Sequence, residues 1–401
     1  MEYSVPTLSI VFMAIVILIG IAIPIVLFLI LRKKYKTDIA PFFVGCAVFI
    51  VFALIIEGSI NLLIFKSSAG KAIQSNIWLY GIFGGLMAGL FEETGRFTAF
   101  KTVLKKFRTN DMNGLMYGAG HGGFEAFYIL VFSMISSIVM AVMLNAGNAD
   151  KLTAGITDST KLQSLYATFA ALAGTAPATF LMSIVERIAA IALHISLSVL
   201  VWFAAKKDGK YLWFYPLAIL FHATVNAVAV ILSRYVSDMW IVLFVIYLLV
   251  TFCVVIAIKV WRKYSTENGN NVKIITSARS ALLIMIMFVL IISVAGCTGN
   301  TAFSGSKTGN DNQFLVDFDV LNTTVNNKML LSEGERIGTT VDIKKGRVDI
   351  VVENENGKIA YRGNDVESAH FGIVIEETGT YTFYVTGSKA VSYTHLRAHE
   401  T

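Results

Sequence analysis

The chain has 401 residues, 55% of them hydrophobic and 15% charged, with a mean hydropathy of +0.67, whereas an ordinary soluble domain carries roughly 25% charged residues. Those proportions exclude a disordered chain, a collagen-like repeat and a disulfide-stapled secreted scaffold, and they describe a membrane protein in contact with the lipid bilayer. The formal charge of +6 implies no nucleic-acid partner, because excess Lys and Arg in a multi-span protein collect in cytoplasmic loops and set its orientation.

Runs long enough to cross the hydrocarbon, about 20 residues each, fall at 5–31, 39–65, 77–100, 113–144, 164–184, 186–205, 212–232, 239–258 and 280–296. Cations cluster after four of them: Arg32, Lys33, Lys34 and Lys36; Lys101, Lys105, Lys106 and Arg108; Lys206, Lys207 and Lys210; Lys259, Arg262 and Lys263. These clusters are expected on the cytoplasmic side. They share a side only if 164–184 does not cross, and its Gly174 and Pro177 suit a re-entrant segment held against protein or a wet cavity. The expectation is therefore an all-α polytopic membrane protein of about eight spans, with one re-entrant segment and the C-terminal part outside.

Ionisable groups inside spans are costly, so each is a functional candidate. The third span ends Phe91-Glu92-Glu93-Thr94-Gly95-Arg96, and the fourth begins Gly118-Ala119-Gly120-His121-Gly122-Gly123-Phe124-Glu125. His194 lies in 186–205, and 212–232 contains His222 and Asn226. Glu92 and Arg96, His121 and Glu125, and His222 and Asn226 are each four apart, and Arg187 and His194 are seven apart, so each pair shares a helix face. Counted from the cytoplasmic ends at about 1.5 Å per residue, Glu93 and His121 lie roughly 12 Å deep, and His194 and His222 roughly 15 to 17 Å deep. Four helices thus present acids and imidazoles at one level. Glu57, nearer the outer side, reads as a structural or gating acid, and Arg96 as an ion-pair partner.

Two chemistries need this set. A carboxylate with neighbouring imidazoles can activate water as a general base and stabilise an oxyanion. The same Glu and His residues, with His121, His194, His222 and Glu125 as candidate ligands, can hold a zinc ion that acidifies its bound water. Both lead to hydrolysis of a peptide bond in a membrane-associated peptide or protein.

The Glu92-Glu93-x-x-Arg96, Gly-x-Gly-His121-Gly-Gly-Phe-Glu125, Glu186-Arg187…His194 and His222-x-x-x-Asn226 motifs together resemble the YhfC family of bacterial intramembrane peptidases over residues 5–260. That family is grouped with the CAAX-prenyl endopeptidase and bacteriocin-processing membrane proteases, with PrsW, and with a scaffold subunit of gamma-secretase. The resemblance implies a bacterial cell membrane location and an active site inside the bilayer. It also implies Glu92 as the water-activating base, His121 as its partner, and His222 with Asn226 as oxyanion or metal-site groups. The chain departs from CAAX-type proteases in having two residues, Thr94 and Gly95, between the second Glu and Arg96 where those enzymes have three. Two other readings stay open: a non-catalytic scaffold or immunity protein of the same fold, and a proton-coupled transporter, although no internal symmetry of the transporter kind is visible.

The helical domain is expected to occupy 1–263, followed by a cytoplasmic linker at 264–279. Residues 280–297, ending Val294-Ala295-Gly296-Cys297, read as a final anchoring helix or as a lipobox with Cys297 lipidated. A Gly/Ser-rich linker at 298–313 precedes alternating segments over 314–390 that predict a small extracytoplasmic β-sandwich, truncated at its end. Residues 391–401 resemble a translated sequencing adapter.

Overall fold

The computed structural model describes residues 3–236, 238–266, 303–310 and 312–399. The apolar segment 280–297 with Cys297, and linker residues 267–279, lie outside the described residues. The chain divides into two compact units, Val5–Val142 with Thr175–Ser293, and Met1–Ser4 with Met143–Gly174 and Val294–Thr401.

The helices are α1 (Thr7–Tyr35), α2 (Ala40–Val48), α3 (Gly58–Phe65), α4 (Ser68–Ser75), α5 (Ile77–Lys101), α6 (Met112–Asn145), α7 (Ala149–Thr153), α8 (Ser159–Gly174), α9 (Met182–Lys207), α10 (Phe214–Tyr235) and α11 (Met239–Tyr264). A π-helical stretch, Phe49–Glu57, joins α2 to α3. Several starts are set by side-chain caps: Asn76 accepts from the amides of Trp78 and Leu79 at 2.9 and 3.2 Å to open α5, and Asp238 accepts from Trp240 N at 2.8 Å to open α11.

Six stretches among the described residues are long and apolar enough to span a bilayer: Thr7–Tyr35, Ala40–Phe65, Met112–Asn145, Pro177–Lys207, Gly209–Tyr235 and Met239–Tyr264. The expected span 77–100 is present as α5, but Glu92, Glu93 and Arg96 dilute its apolar character. The expected re-entrant segment 164–184 is not one element. Helix α8 stops at Gly174, and a 3-10 turn at Pro177–Leu181 leads directly into α9. Within the apolar stretch of α9, 78% of residues are buried, against 11% for α1. Helix α9 is therefore central and α1 peripheral.

Glycines let these helices approach closely. On α5, Gly81, Gly85 and Gly89 recur every four residues against α10. A Cβ on Gly85 would lie 2.3 Å from the Ala223 carbonyl oxygen, and one on Gly89 would lie 2.7 Å from that of Ile219. On α6, Gly118 and Gly122 do the same toward α9, where a Cβ on Gly122 would meet the Cβ of His194 at 3.0 Å. The cation-rich ends of the helices converge. Arg108 Nη1 donates to Ala205 O at 2.9 Å, and Asp38 N to Asn113 Oδ1 at 2.8 Å. Buried Asp111 accepts from Trp202 Nε1 at 2.8 Å, Lys206 Nζ at 2.5 Å and Ser265 Oγ at 3.1 Å.

The C-terminal domain has seven strands: β1 (Phe303–Gly309), β2 (Gln313–Leu321), β3 (Thr324–Leu331), β4 (Arg336–Asn354), β5 (Ile359–Gly363), β6 (Ala369–Val374) and β7 (Gly379–His399). Strand β1 occupies part of the expected linker 298–313. In place of two separate sheets there is one antiparallel hydrogen-bonded sheet in the order β1-β2-β7-β4-β5, with β3 on β7 and β6 on β4. Strands β4 and β7 are the longest, with 19 and 21 residues. Register shifts between Ile343 and Arg347 mark where the ladder is interrupted. Phe314, Phe318, Ile350, Phe383 and Val385 share one core. The adapter-like segment continues β7 as far as His399, between β2 and β4.

Candidate active site

Position along α5 decides how the acidic pair is used. One turn beyond Gly89, Glu92 and Glu93 point at different partners because consecutive helical residues diverge by about 100°. Glu92 Oε2 accepts from His121 Nε2 at 2.8 Å. Glu93 is enclosed by Arg96, whose Nη1 donates to both carboxylate oxygens, at 2.5 Å to Oε1. Glu93 Oε1 also accepts from His222 Nδ1 at 2.9 Å. The sequence spacing suggests a Glu92–Arg96 face; the ion pair forms instead between Glu93 and Arg96, three residues apart.

His194 sits between the two carboxylate systems. Its Nε2 lies 2.5 Å from Glu125 Oε2, and its Nδ1 lies 3.1 Å from Arg96 Nη2 and 3.9 Å from Glu92 Oε2. A guanidinium nitrogen only donates, so Nδ1 carries the lone pair and Nε2 the proton. His222 Nε2 faces Glu92 Oε1 at 4.0 Å. The imidazoles pack in sequence, with ring centroids 4.8 Å apart for His121 and His194 and 5.1 Å apart for His194 and His222. All of these groups except Glu125 are buried, and the Glu125 side chain is 14% exposed.

A cavity of about 240 Å³ reaches this cluster, lined by Glu92, Glu125, Arg187, His194, His222 and Asn226. Its remaining wall is mostly apolar, including Val225, Ala229, Val242 and Ile246. It extends to Glu186, whose side chain is 54% exposed, at the end of α9 opposite Lys206 and Lys207. Spacing alone puts Arg187 on the His194 stripe without giving it a role. Here its Nη1 donates to Glu125 at 2.7 Å and its Nη2 to Glu186 at 2.6 Å. Only the crossing of α6 over α9 brings Glu125 to it. Glu57 hydrogen-bonds Asn61 at 3.2 Å, away from the cavity lining.

The donor set suits a metal ion. One ligand atom from each of Glu92, His194 and His222 lies within 4.8 Å of the other two, and two imidazoles with one carboxylate are donor types that zinc takes while leaving a position open. Three carboxylates, Glu92, Glu93 and Glu125, against two guanidiniums, Arg96 and Arg187, leave a negative field when the imidazoles are neutral. Of the other candidates, His121 is committed to Glu92, and Glu125 to His194 and Arg187.

The sequence profile of the YhfC intramembrane metalloprotease family matches residues 18–260, the stretch that contains every residue of this cluster. The uncharacterized membrane protein YhfC of Bacillus subtilis (strain 168) is 36% identical over 228 residues, which is 56% of this chain and 86% of that protein. Four motifs on four helices, their convergence around one cavity and a match over residues 18–260 lead to one assignment: the chain belongs to the YhfC intramembrane metalloprotease family.

Proposed function

We propose that the protein is an intramembrane peptidase that hydrolyses a membrane-associated peptide at the Glu92–His194–His222 cluster. The observation that carries this reading is the approach of those three donors to within 4.8 Å of one another, buried at the end of a cavity with apolar walls. Glu92 faces the two imidazoles as the carboxylate donor of the set, and His121 Nε2–H fixes its Oε2 so that Oε1 is turned toward His222. Arg96 neutralises Glu93, and Glu93 in turn orients His222 through Nδ1. Asn226 offers a side-chain amide at the cavity wall, suited to an oxyanion. A zinc ion held by Glu92, His194 Nδ1 and His222 Nε2 would supply Lewis acidity and acidify water. With the lysine-rich helix ends taken as cytoplasmic, the cavity edge at Glu186 faces the outer side.

A second reading is favoured by one contact. Arg96 already donates to His194 Nδ1, which suits a metal-free route in which Glu92 and His121 alone activate water.

The test is quantitative profiling of membrane-protein termini in cells expressing the wild type, Glu92→Gln, His121→Ala or His222→Ala, with metal analysis of each purified protein. New termini that depend on Glu92 and His222 are expected, with about one zinc per wild-type chain. Identical termini in all four strains would point to the scaffold reading and end this one.

A further inference from the structure

Four side chains run in continuous contact from the exposed edge of the cavity to the cluster. Glu186 accepts from Arg187 Nη2 at 2.6 Å, Arg187 Nη1 donates to Glu125 Oε1 at 2.7 Å, and Glu125 Oε2 lies 2.5 Å from His194 Nε2. The direction of both arginine hydrogen bonds is forced. Arginine has no acceptor, so both carboxylates receive from it, and the Arg96 contact at Nδ1 leaves the His194 proton on Nε2, the nitrogen in close contact with Glu125 Oε2. The ring is thereby held in one tautomer and one orientation, with the Nδ1 lone pair turned toward Glu92 at 3.9 Å.

We propose that Glu125 and Arg187 are positioning residues that lock His194 as an Nδ1 donor to the Glu92–His194–His222 set, and that neither is itself a ligand. The proposal rests on the metal reading above. Its logic is that of a ligating imidazole whose other N–H is held by a carboxylate. Glu125 supplies that carboxylate from α6, and Arg187, two helical turns before His194 on α9, holds Glu125 in place and balances its charge. When Arg96 gives up Nδ1 to a cation, Glu125 is what keeps the proton on Nε2. A ring free to change tautomer would turn an N–H toward Glu92 and could not bind a cation through that nitrogen.

The test uses the full-length protein in detergent with Co2+ as a spectroscopic probe and Zn2+ as competitor. Wild type, Glu125→Gln, Arg187→Gln and the paired Glu125→Met/Arg187→Met variant are compared, with His222→Ala as a ligand-loss control. The paired variant removes both charges at similar volume, so no buried charge is orphaned and the fold survives. It is expected to bind Co2+ about 10- to 100-fold more weakly, with an altered visible spectrum and an unchanged metal-free melting temperature. Glu125→Gln, which keeps an acceptor oxygen for Nε2–H, is expected to fall in between. Wild-type affinity and spectrum in the paired variant would overturn the proposal while leaving the metal reading standing. A wild type that binds neither Co2+ nor Zn2+ would overturn the metal reading, and this proposal with it.

Discussion

Arg96 Nη2 donates to His194 Nδ1 across 3.1 Å, so an arginine occupies the lone pair that a metal ion would use. Loading a metal through Nδ1 therefore means breaking that bond. Lysine at this position can still neutralise Glu93 as a point charge but lacks the fork that reaches His194 at the same time. Arg96→Lys is accordingly expected to bind zinc about tenfold more tightly, or ~1.4 kcal/mol, in line with the net worth of one hydrogen bond. Chelator competition measures this, and equal or weaker zinc affinity would show that Arg96 does not compete. Arg96→Met leaves Glu93 buried with only His222, and is expected to cost about 3–5 kcal/mol of stability.

The approach of α5 to α10 sets the distance between Glu93 and His222. Gly85→Ala would put a methyl group 2.3 Å from the Ala223 carbonyl oxygen and 3.0 Å from Ala227 N. The helices must separate, at a cost of about 1–3 kcal/mol, and cleavage activity falls with stability because the two acids and His222 lie one to two turns away. Neighbouring Gly84 is the control. A Cβ there meets nothing within 4 Å, so Gly84→Ala is expected to be neutral or stabilising by about 0.5–1 kcal/mol. Melting temperatures in one detergent separate the two variants; similar losses in both would contradict the close-packing account.

Much of this site is legible in the sequence itself, because a charged residue in an apolar run is expensive and therefore conspicuous. Glu92, Glu93, His121, His194 and His222 can be placed at one depth by counting residues from the lysine-rich ends. The partners cannot be read in the same way. Spacings of three and four both put side chains on one helix face, so Arg96 could as well have served Glu92 as Glu93. Arg187 meets Glu125 only through the α6–α9 crossing. The Gly81, Gly85, Gly89 repeat is visible in the sequence, but nothing in it names α10 as the helix that packs there. In the C-terminal domain, Phe303–Gly309 has a single large apolar residue and no alternation, so β1 forms by pairing along the edge of β2 without a hydrophobic pattern of its own. The length of β4 is hidden by Lys344-Lys345-Gly346-Arg347, which reads as a turn yet lies within the strand.

Asp111 closes the lysine-rich end of the bundle. It is fully buried and accepts from Trp202, Lys206, Ser265 and the Thr266 amide, the last at 3.1 Å, so α6, α9 and the chain leaving α11 meet on one carboxylate. Asp111→Ala orphans Lys206 and the indole N–H together and is expected to cost about 3 kcal/mol or more. Asp111→Asn keeps an acceptor oxygen and should lose less. Hydrogen exchange is expected to rise first at the C-terminal turn of α11 in the Ala variant. Protection unchanged there would mean that packing of Trp261, and not Asp111, holds that end.

Zinc itself provides the remaining test, because an ion that binds only the folded state stabilises it by mass action. At free zinc a hundredfold above its dissociation constant the gain is about 2.7 kcal/mol, or roughly 5–10 °C in melting temperature for a domain of this size. Glu92→Gln and His222→Ala each remove a donor and are expected to abolish the shift. His121→Ala is expected to retain most of it, because His121 holds Glu92 through Nε2 and is not among the three converging donors. Asn226→Ala should retain it fully while still losing activity. That pattern separates ligands from the residues around them without knowledge of the substrate. A shift that persists in a Glu92→Gln/His222→Ala double variant would place the zinc elsewhere in the protein and remove the basis for a metal at this cluster.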